Sequence, residues 1–160
     1  MGPLKIRQGD MDDVPTLIGL GRMMHMESPR FRGMDYNEEK LIQLGANLVA
    51  QGGIFLAEKD GKAIGMMLGM VTEHFFGHDL MACDLAVYVH PDHRGGTLAV
   101  RLIKKFEAWA FSMGAKVIHV GVSTEVNADR TGELYKRLGY RMTGTLAVKD
   151  RATERVKEVR

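Results

Sequence analysis

The sequence predicts an α/β (α+β) fold in a single domain, on three observations. The apolar period switches repeatedly between two, the strand repeat, and about 3.6, the helical repeat, along the 160 residues. Asp60-Gly61 lies between two apolar runs, the strongest short hairpin signal in the chain, so the flanking strands pair antiparallel. The run from Leu80 to Val122 reads strand, helix, strand, which closes as a right-handed parallel unit. Antiparallel and parallel pairs in one sheet make it mixed.

Leu4 to Gln8 alternates apolar and polar residues and opens the chain as a strand. Asp12 or Asp13 caps a first helix with Pro15 in its first turn, and Val14, Leu17, Ile18, Gly21 and Met24 follow helical spacing until Ser28-Pro29 stops it. Asn37 starts a second helix, with Leu41, Leu44, Gly45 and Leu48 as its stripe and Gly52-Gly53 as its end. Two hairpin strands follow, Ile54–Glu58 and Lys62–Val71, then a third strand, Leu80–Val89, ending at His90-Pro91. From Thr97 a third helix places Ala99, Leu102, Phe106, Trp109/Ala110 and Met113 on one face, and Gly114 closes it. Lys116 to Val122 reads as a buried strand. Thr131, Leu134, Tyr135 and Leu138 form one face of a fourth helix, closed by Gly139, and Tyr140 to Val148 is a last strand. The domain therefore spans residues 1–148, and residues 149–160 are a charged tail of mixed sign.

Composition removes several classes of function. An apolar content of 45% suffices for a core. Lys+Arg 22 against Asp+Glu 20 leaves +2, too weak a field for binding driven by neutralised nucleic-acid phosphates. No apolar run approaches the ~20 residues of a membrane span. The N-terminus lacks a signal-peptide core, and the one cysteine, Cys83, cannot form an internal disulfide. Together these predict a cytoplasmic protein without membrane or nucleic-acid partners. Twelve methionines, clustered at Met23, Met24, Met26 and at Met66, Met67, Met70, read as adaptable core filler or as the pliable wall of a pocket. His74/His78 and His90/His93 have metal-like spacing but straddle Gly or Pro in loops, so no metal site is expected.

The most informative segment runs from Val87 to Ala99, through Pro91, Arg94, Gly95 and Gly96. A strand ends, a loop turns, and a helix starts on small residues. Such a helix N-terminus offers unpaired N–H donors and a partial positive charge, an anion site suited to phosphate. Arg94 adds a planar cation. No Gly-Lys-Ser/Thr follows, so it is not a P-loop, and the G-x-G-x-x-G spacing is absent as well. An ordinary tight strand-to-helix turn with a solvated Arg94 fits the same residues, and at this level both readings stand.

Here the chain resembles the GCN5-related N-acetyltransferase (GNAT) superfamily, in which a strand running into V-x-P-x-x-R-G-x-G-x-G/A leads to the coenzyme A pyrophosphate. This sequence has Val89-His90-Pro91-Asp92-His93-Arg94-Gly95-Gly96-Thr97-Leu98-Ala99. The family's second block, Leu-Tyr then Leu-Gly-Phe/Tyr, reads Leu134-Tyr135-Lys136-Arg137-Leu138-Gly139-Tyr140. Thr97 stands where the family has its central glycine; it keeps a backbone N–H, and its hydroxyl can donate to phosphate. Asn127 lies eight residues before Tyr135, where the family's Asn lies one residue nearer and Ala128 stands here.

The resemblance implies a GNAT-like fold of about six or seven strands flanked by about four helices, with splayed parallel strands forming the acyl-CoA cleft. It implies an acyl-CoA-dependent N-acyltransferase, moving acetyl from acetyl-CoA to a primary amine by direct attack in a ternary complex. A catalytically silent coenzyme A-binding sensor or regulatory module is the alternative. The cofactor set is Val87, Tyr88 and Val89 along the pantetheine arm, Arg94 to Ala99 (with Gly95, Gly96, Thr97 and Leu98) at the pyrophosphate, and Asn127. Tyr135 is the candidate general acid: with a reference pKa near ~10, against ~8.5 for a thiol, it keeps its proton for the departing thiolate. Asp84, a carboxylate among Met81, Ala82, Cys83, Leu85 and Ala86, is the candidate base, with Glu27 or a water chain as alternatives. The acceptor, a small-molecule or peptide amine, is expected near Met26, Glu27, Phe31 and Arg32, with His74 and Phe75 as further candidates. Homodimers are common among relatives.

Overall fold

Local chemistry places most element ends. The computed structural model describes residues 2–151, and within them one five-stranded sheet in the order β1-β2-β3-β4-β5. β1 (Lys5–Gln8) pairs antiparallel with β2 (Ile54–Lys59). The turn into β3 (Lys62–Glu73) puts Asp60 at φ 53° and Gly61 at φ 73°, the two left-handed positions that a type I′ hairpin demands. β4 (Leu80–Val89) pairs antiparallel with β3, and β5 (Val117–His119) pairs parallel with β4.

Four helices cover the sheet, as the sequence predicts. α1 (Val14–Glu27) follows a 3-10 turn capped reciprocally by Asp10 and Asp13, and Asn37 caps α2 (Glu38–Gln51) by accepting the Lys40 N–H. α3 (Leu98–Ser112) follows the glycine loop, and α4 (Ala128–Arg137) ends before Gly139 at φ 93°. The apolar run of β2 is buried on both faces of the sheet. Ile54 and Leu56 join Leu17, Leu20, Leu48, Met66 and Tyr88 under α1 and α2, while Phe55 and Ala57 join Met67, Leu102, Ile103 and Phe106 under α3. Met66 and Met67 are thus core, whereas Met26 is 66% exposed. Gly69 is required on the α3 side, because a Cβ there would run into the Phe106 ring.

The site is positioned where β4 and β5 part. Their ladder holds for three pairs, Met81 with Val117, Ala82 with Ile118 and Cys83 with His119. Beyond it the Asp84 carboxylate accepts the Gly121 N–H at 3.1 Å, and β4 bulges at Leu85, since Gly69 pairs with Asp84 but Leu68 with Ala86. From there the two strands diverge and leave a gap.

Two strand expectations fail. β5 stops at His119 instead of reaching Val122, because a side chain takes the next N–H in place of the ladder. The stretch from Tyr140 to Val148 forms no strand, so the sheet has five strands among the described residues, not six or seven. Tyr140 is anchored through its N–H to the Tyr135 carbonyl, but Met142, Leu146 and Val148 are 55%, 63% and 51% exposed. Alternation makes a strand only where an edge accepts its hydrogen bonds and a face buries its side chains. The predicted tail falls largely outside the described residues, which end at 151. No helix among them is long and apolar enough to cross a membrane.

Candidate active site

A cavity of about 590 Å³ opens between the end of β4 and the segment from Gly121 to Thr124, with α3 and α4 as its other walls. At one end lies the glycine loop. Pro91–His93 make a 3-10 turn capped by the His90 ring, Gly95 adopts φ 90°, and a Cβ on Gly96 would meet nothing within 4 Å. The first-turn N–H groups of α3 have no helical partner and stand at this end.

Val87, Tyr88, Val89, Arg94, Gly95, Gly96, Leu98, Ala99 and Asn127 all line the cavity. Thr97 does not: it is the N-cap of α3, with no side-chain cap bond, and its carbonyl accepts the Arg101 N–H. Asn127 caps α4 at φ 48°, also without a side-chain cap bond. Arg94 is not a free cation. Its two terminal nitrogens donate to the two oxygens of Glu27 at 2.5 and 2.7 Å, and Nε donates to the Val89 carbonyl at 2.8 Å. The guanidinium beside it holds the Glu27 carboxyl below its usual range, which makes Glu27 a poor base.

Neither Asp84 nor Tyr135 is among the residues that line the cavity. Burial pushes the Asp84 carboxyl up to about 6, against the opposing pull of the Gly121 N–H. Tyr135 is 1% exposed, with its ring 5.4 Å from that of Tyr140, and its hydroxyl has no hydrogen-bond partner among the described residues. Burial, and secondarily the Asp84 charge, push its phenol well above the ordinary tyrosine value.

Of the residues expected around the acceptor, only Glu27 lines the cavity. Met26 points to solvent, Phe31 lies beneath the Arg30 guanidinium at 5.3 Å, and Arg32 is exposed. His74 and Phe75 stack on each other in the β3–β4 turn, at the opposite end of β4 from Val89. Nine strand steps, about 30 Å, separate them from the glycine loop, so they do not join the site.

The sequence reading missed two features. Ser28, fully buried, donates to the Thr124 carbonyl at 2.6 Å, and Arg30 donates to the Ser123 carbonyl at 2.9 Å, so the segment after α1 is tied to the cavity wall. Pairs separated by more than 90 residues leave no local signal. Arg130, Leu134, Arg137 and Leu138 also line the cavity. Their spacing of four, three and one is a helical face and was readable as such.

The model of the acetyltransferase (GNAT) family matches residues 20–140. The chain belongs to that family. No curated protein matches it in sequence. Among solved structures it is similar to an aminoglycoside N-acetyltransferase in complex with CoA, at 17% identity and TM-score 0.74 over 94% of this chain and 96% of that one. A predicted acetyltransferase from Clostridium acetobutylicum, solved with acetyl-CoA, shares 16% identity and a TM-score of 0.73 over 92% and 96%. A ribosomal-protein-alanine N-acetyltransferase from Brucella melitensis biovar Abortus 2308 shares 16% identity and a TM-score of 0.68 over 92% and 99%. As a GNAT protein this chain is an acyl-CoA-dependent N-acetyltransferase, and the cavity fits the cosubstrate. The open loop at Gly95 and Gly96 and the edge from Val87 to Val89 both line the cavity, the loop beside the N-terminus of α3, where an anion is favoured.

Proposed function

We propose that this GNAT acetyltransferase passes acetyl directly to a primary amine held at the Glu27–Thr124 end of the cavity, with Asp84 accepting a proton and Tyr135 supplying one. The observation that carries this reading is the half-buried Asp84 carboxylate at the point where β4 and β5 part, held by the Gly121 N–H, together with the buried, unpartnered Tyr135 hydroxyl. Bound acetyl-CoA supplies the activated acetyl thioester. Asp84, with its carboxyl at about 6, is ionised at neutral pH yet basic enough to receive the proton an ammonium must lose. Its carboxylate accepts the Gly121 N–H, and Gly121 lines the cavity, so the base stands next to the space that would hold the amine. Tyr135 stays protonated throughout the working range, and its unpartnered hydroxyl is a donor in want of an acceptor.

The acceptor is a small-molecule or peptide amine, the two classes named for the aminoglycoside and ribosomal-protein-alanine enzymes of similar fold. Cys83, half-buried and unpaired, suits a reducing compartment such as the cytoplasm. The test is a thiol-release assay with acetyl-CoA over a panel of aminoglycosides, polyamines and N-terminal peptides, run beside Tyr135→Phe. An acceptor turned over by the wild type and slowed by the variant supports the assignment. Equal rates would remove Tyr135 from it.

A further inference from the structure

We infer that Arg130, and not the loop arginine Arg94, is the side-chain cation that receives a phosphate of bound acyl-CoA, because Glu27 already occupies Arg94. The inference rests on the reading of the cavity as a coenzyme A site and assigns one of its charges.

Each nitrogen of the Arg94 guanidinium donates to a protein oxygen: both terminal nitrogens to Glu27, and Nε to Val89. Its plane also lies over the Tyr88 ring, 5.5 Å from the centroid. The pair is bidentate, each member is 30% exposed, and its net charge is zero. A phosphate seeking Arg94 would have to displace a carboxylate from its best geometry. Arg94 is better described as the brace that fixes the loop against the end of α1.

Arg130 is the reverse case. It stands in the first turn of α4, on the face it shares with Leu134 and Leu138, and lines the same cavity from the opposite wall. One of its terminal nitrogens comes within 3.9 Å of the point where a Cβ on Gly95 would stand. It has no hydrogen bond, ion pair or ring contact among the described residues. Asp129 is adjacent in sequence, but consecutive helical residues do not face each other. The other cation on this helix face, Arg137, lies about 10 Å further along the axis, beside Glu133. The anion site is thus bounded by the glycine loop and the α3 N-terminus on one side and by one uncommitted guanidinium on the other. A planar fork of donors matches phosphate oxygens.

The test is calorimetric binding of coenzyme A, dephospho-coenzyme A and pantetheine to the wild type, Arg130→Ala and Arg130→Lys. Arg130 is exposed, so its removal does not threaten the fold. Arg130→Ala is expected to weaken coenzyme A by about tenfold to a hundredfold, the usual range for a lost charge-assisted bond, and to leave pantetheine unchanged. Arg130→Lys recovers part of the loss, and the salt dependence of binding is shallower in the alanine variant. A loss confined to coenzyme A assigns the contact to the 3′-phosphate; a loss shared with dephospho-coenzyme A assigns it to the pyrophosphate. Coenzyme A binding to Arg130→Ala within twofold of the wild type overturns the inference. A wild type that binds no coenzyme A overturns instead the reading on which it rests.

Discussion

Asp84 sits where β4 and β5 part, with burial lifting its carboxyl to about 6 from an ordinary value of 3.8. A raised acid is favoured in its neutral form by the fold. Its contribution to stability is therefore full below 3.8 and is lost as pH rises toward 6. With Asp84 as the proposed base, kcat/KM is expected to show an ascending limb with an apparent pKa near 6. Asp84→Asn keeps an oxygen to accept the Gly121 N–H, so the variant is expected to fold, lose that limb and slow by about a hundredfold or more. A pH–rate profile and a melting curve separate the two effects. Tyr135 invites a sharper contrast. Its hydroxyl is buried without a partner, a cost of about 1–3 kcal/mol when left unpaid, so Tyr135→Phe is expected to melt no lower than the wild type. Its turnover, however, falls by at least about tenfold if the phenol is the proton donor. A variant both unstable and slow would mean that the hydroxyl has a structural partner instead.

Elements written by local chemistry were legible in advance, and those made by distant contacts were not. The Asp60-Gly61 hairpin, the Asn37 cap, and the glycine closures of α2 and α4 each follow from the conformation of one or two residues. β4 and α3 were readable because apolar period and end signals agree over ten or more residues. The stretch from Tyr140 to Val148 has the strand period but finds no ladder among the described residues. The glycine loop and its cavity were readable from the motif. The Glu27–Arg94 brace, spanning 67 residues, was not, and it changes what Arg94 is for. Glycines inside strands, opaque in the sequence, acquire a reason once α3 is in place. A Cβ on Gly69 would meet the Phe106 ring, and one on Gly65 would stand 2.9 Å from Leu98. Gly69→Ala is therefore expected to cost about 1–3 kcal/mol by overpacking, read as a lower midpoint in urea with an unchanged slope. Since Asp84 pairs with Gly69 across the bulge, the same variant should also slow turnover.

At the scale of the molecule, three contacts fasten the end of α1 to both walls of the cavity. Glu27 holds Arg94 on the glycine loop, Ser28 holds the Thr124 carbonyl, and Arg30 holds the Ser123 carbonyl. The end of α1 is thereby joined to the glycine loop and to the segment from Ser123 to Thr124, both of which line the cavity. A ligand bound between those walls stabilises the whole fold, because only the folded chain presents both of them. At a hundred times the dissociation constant, coenzyme A should add about 2.7 kcal/mol, a rise of roughly 5–10 °C in Tm for a domain of this size. Ser28→Ala tests how the fastening contributes. The hydroxyl is fully buried, donates to Thr124 at 2.6 Å and accepts the Phe31 N–H at 3.2 Å, so its loss leaves two backbone groups unpaired. The apo variant is expected to melt lower by about 1–3 kcal/mol in stability. If the wall from Ser123 to Thr124 also becomes less ordered, the ligand must restore that order on binding. The affinity for coenzyme A then falls, and at a fixed ligand concentration the rise in Tm is smaller than in the wild type. A variant that melts lower but binds coenzyme A with unchanged affinity would show that the contact holds up α1 alone and leaves the cavity wall untouched.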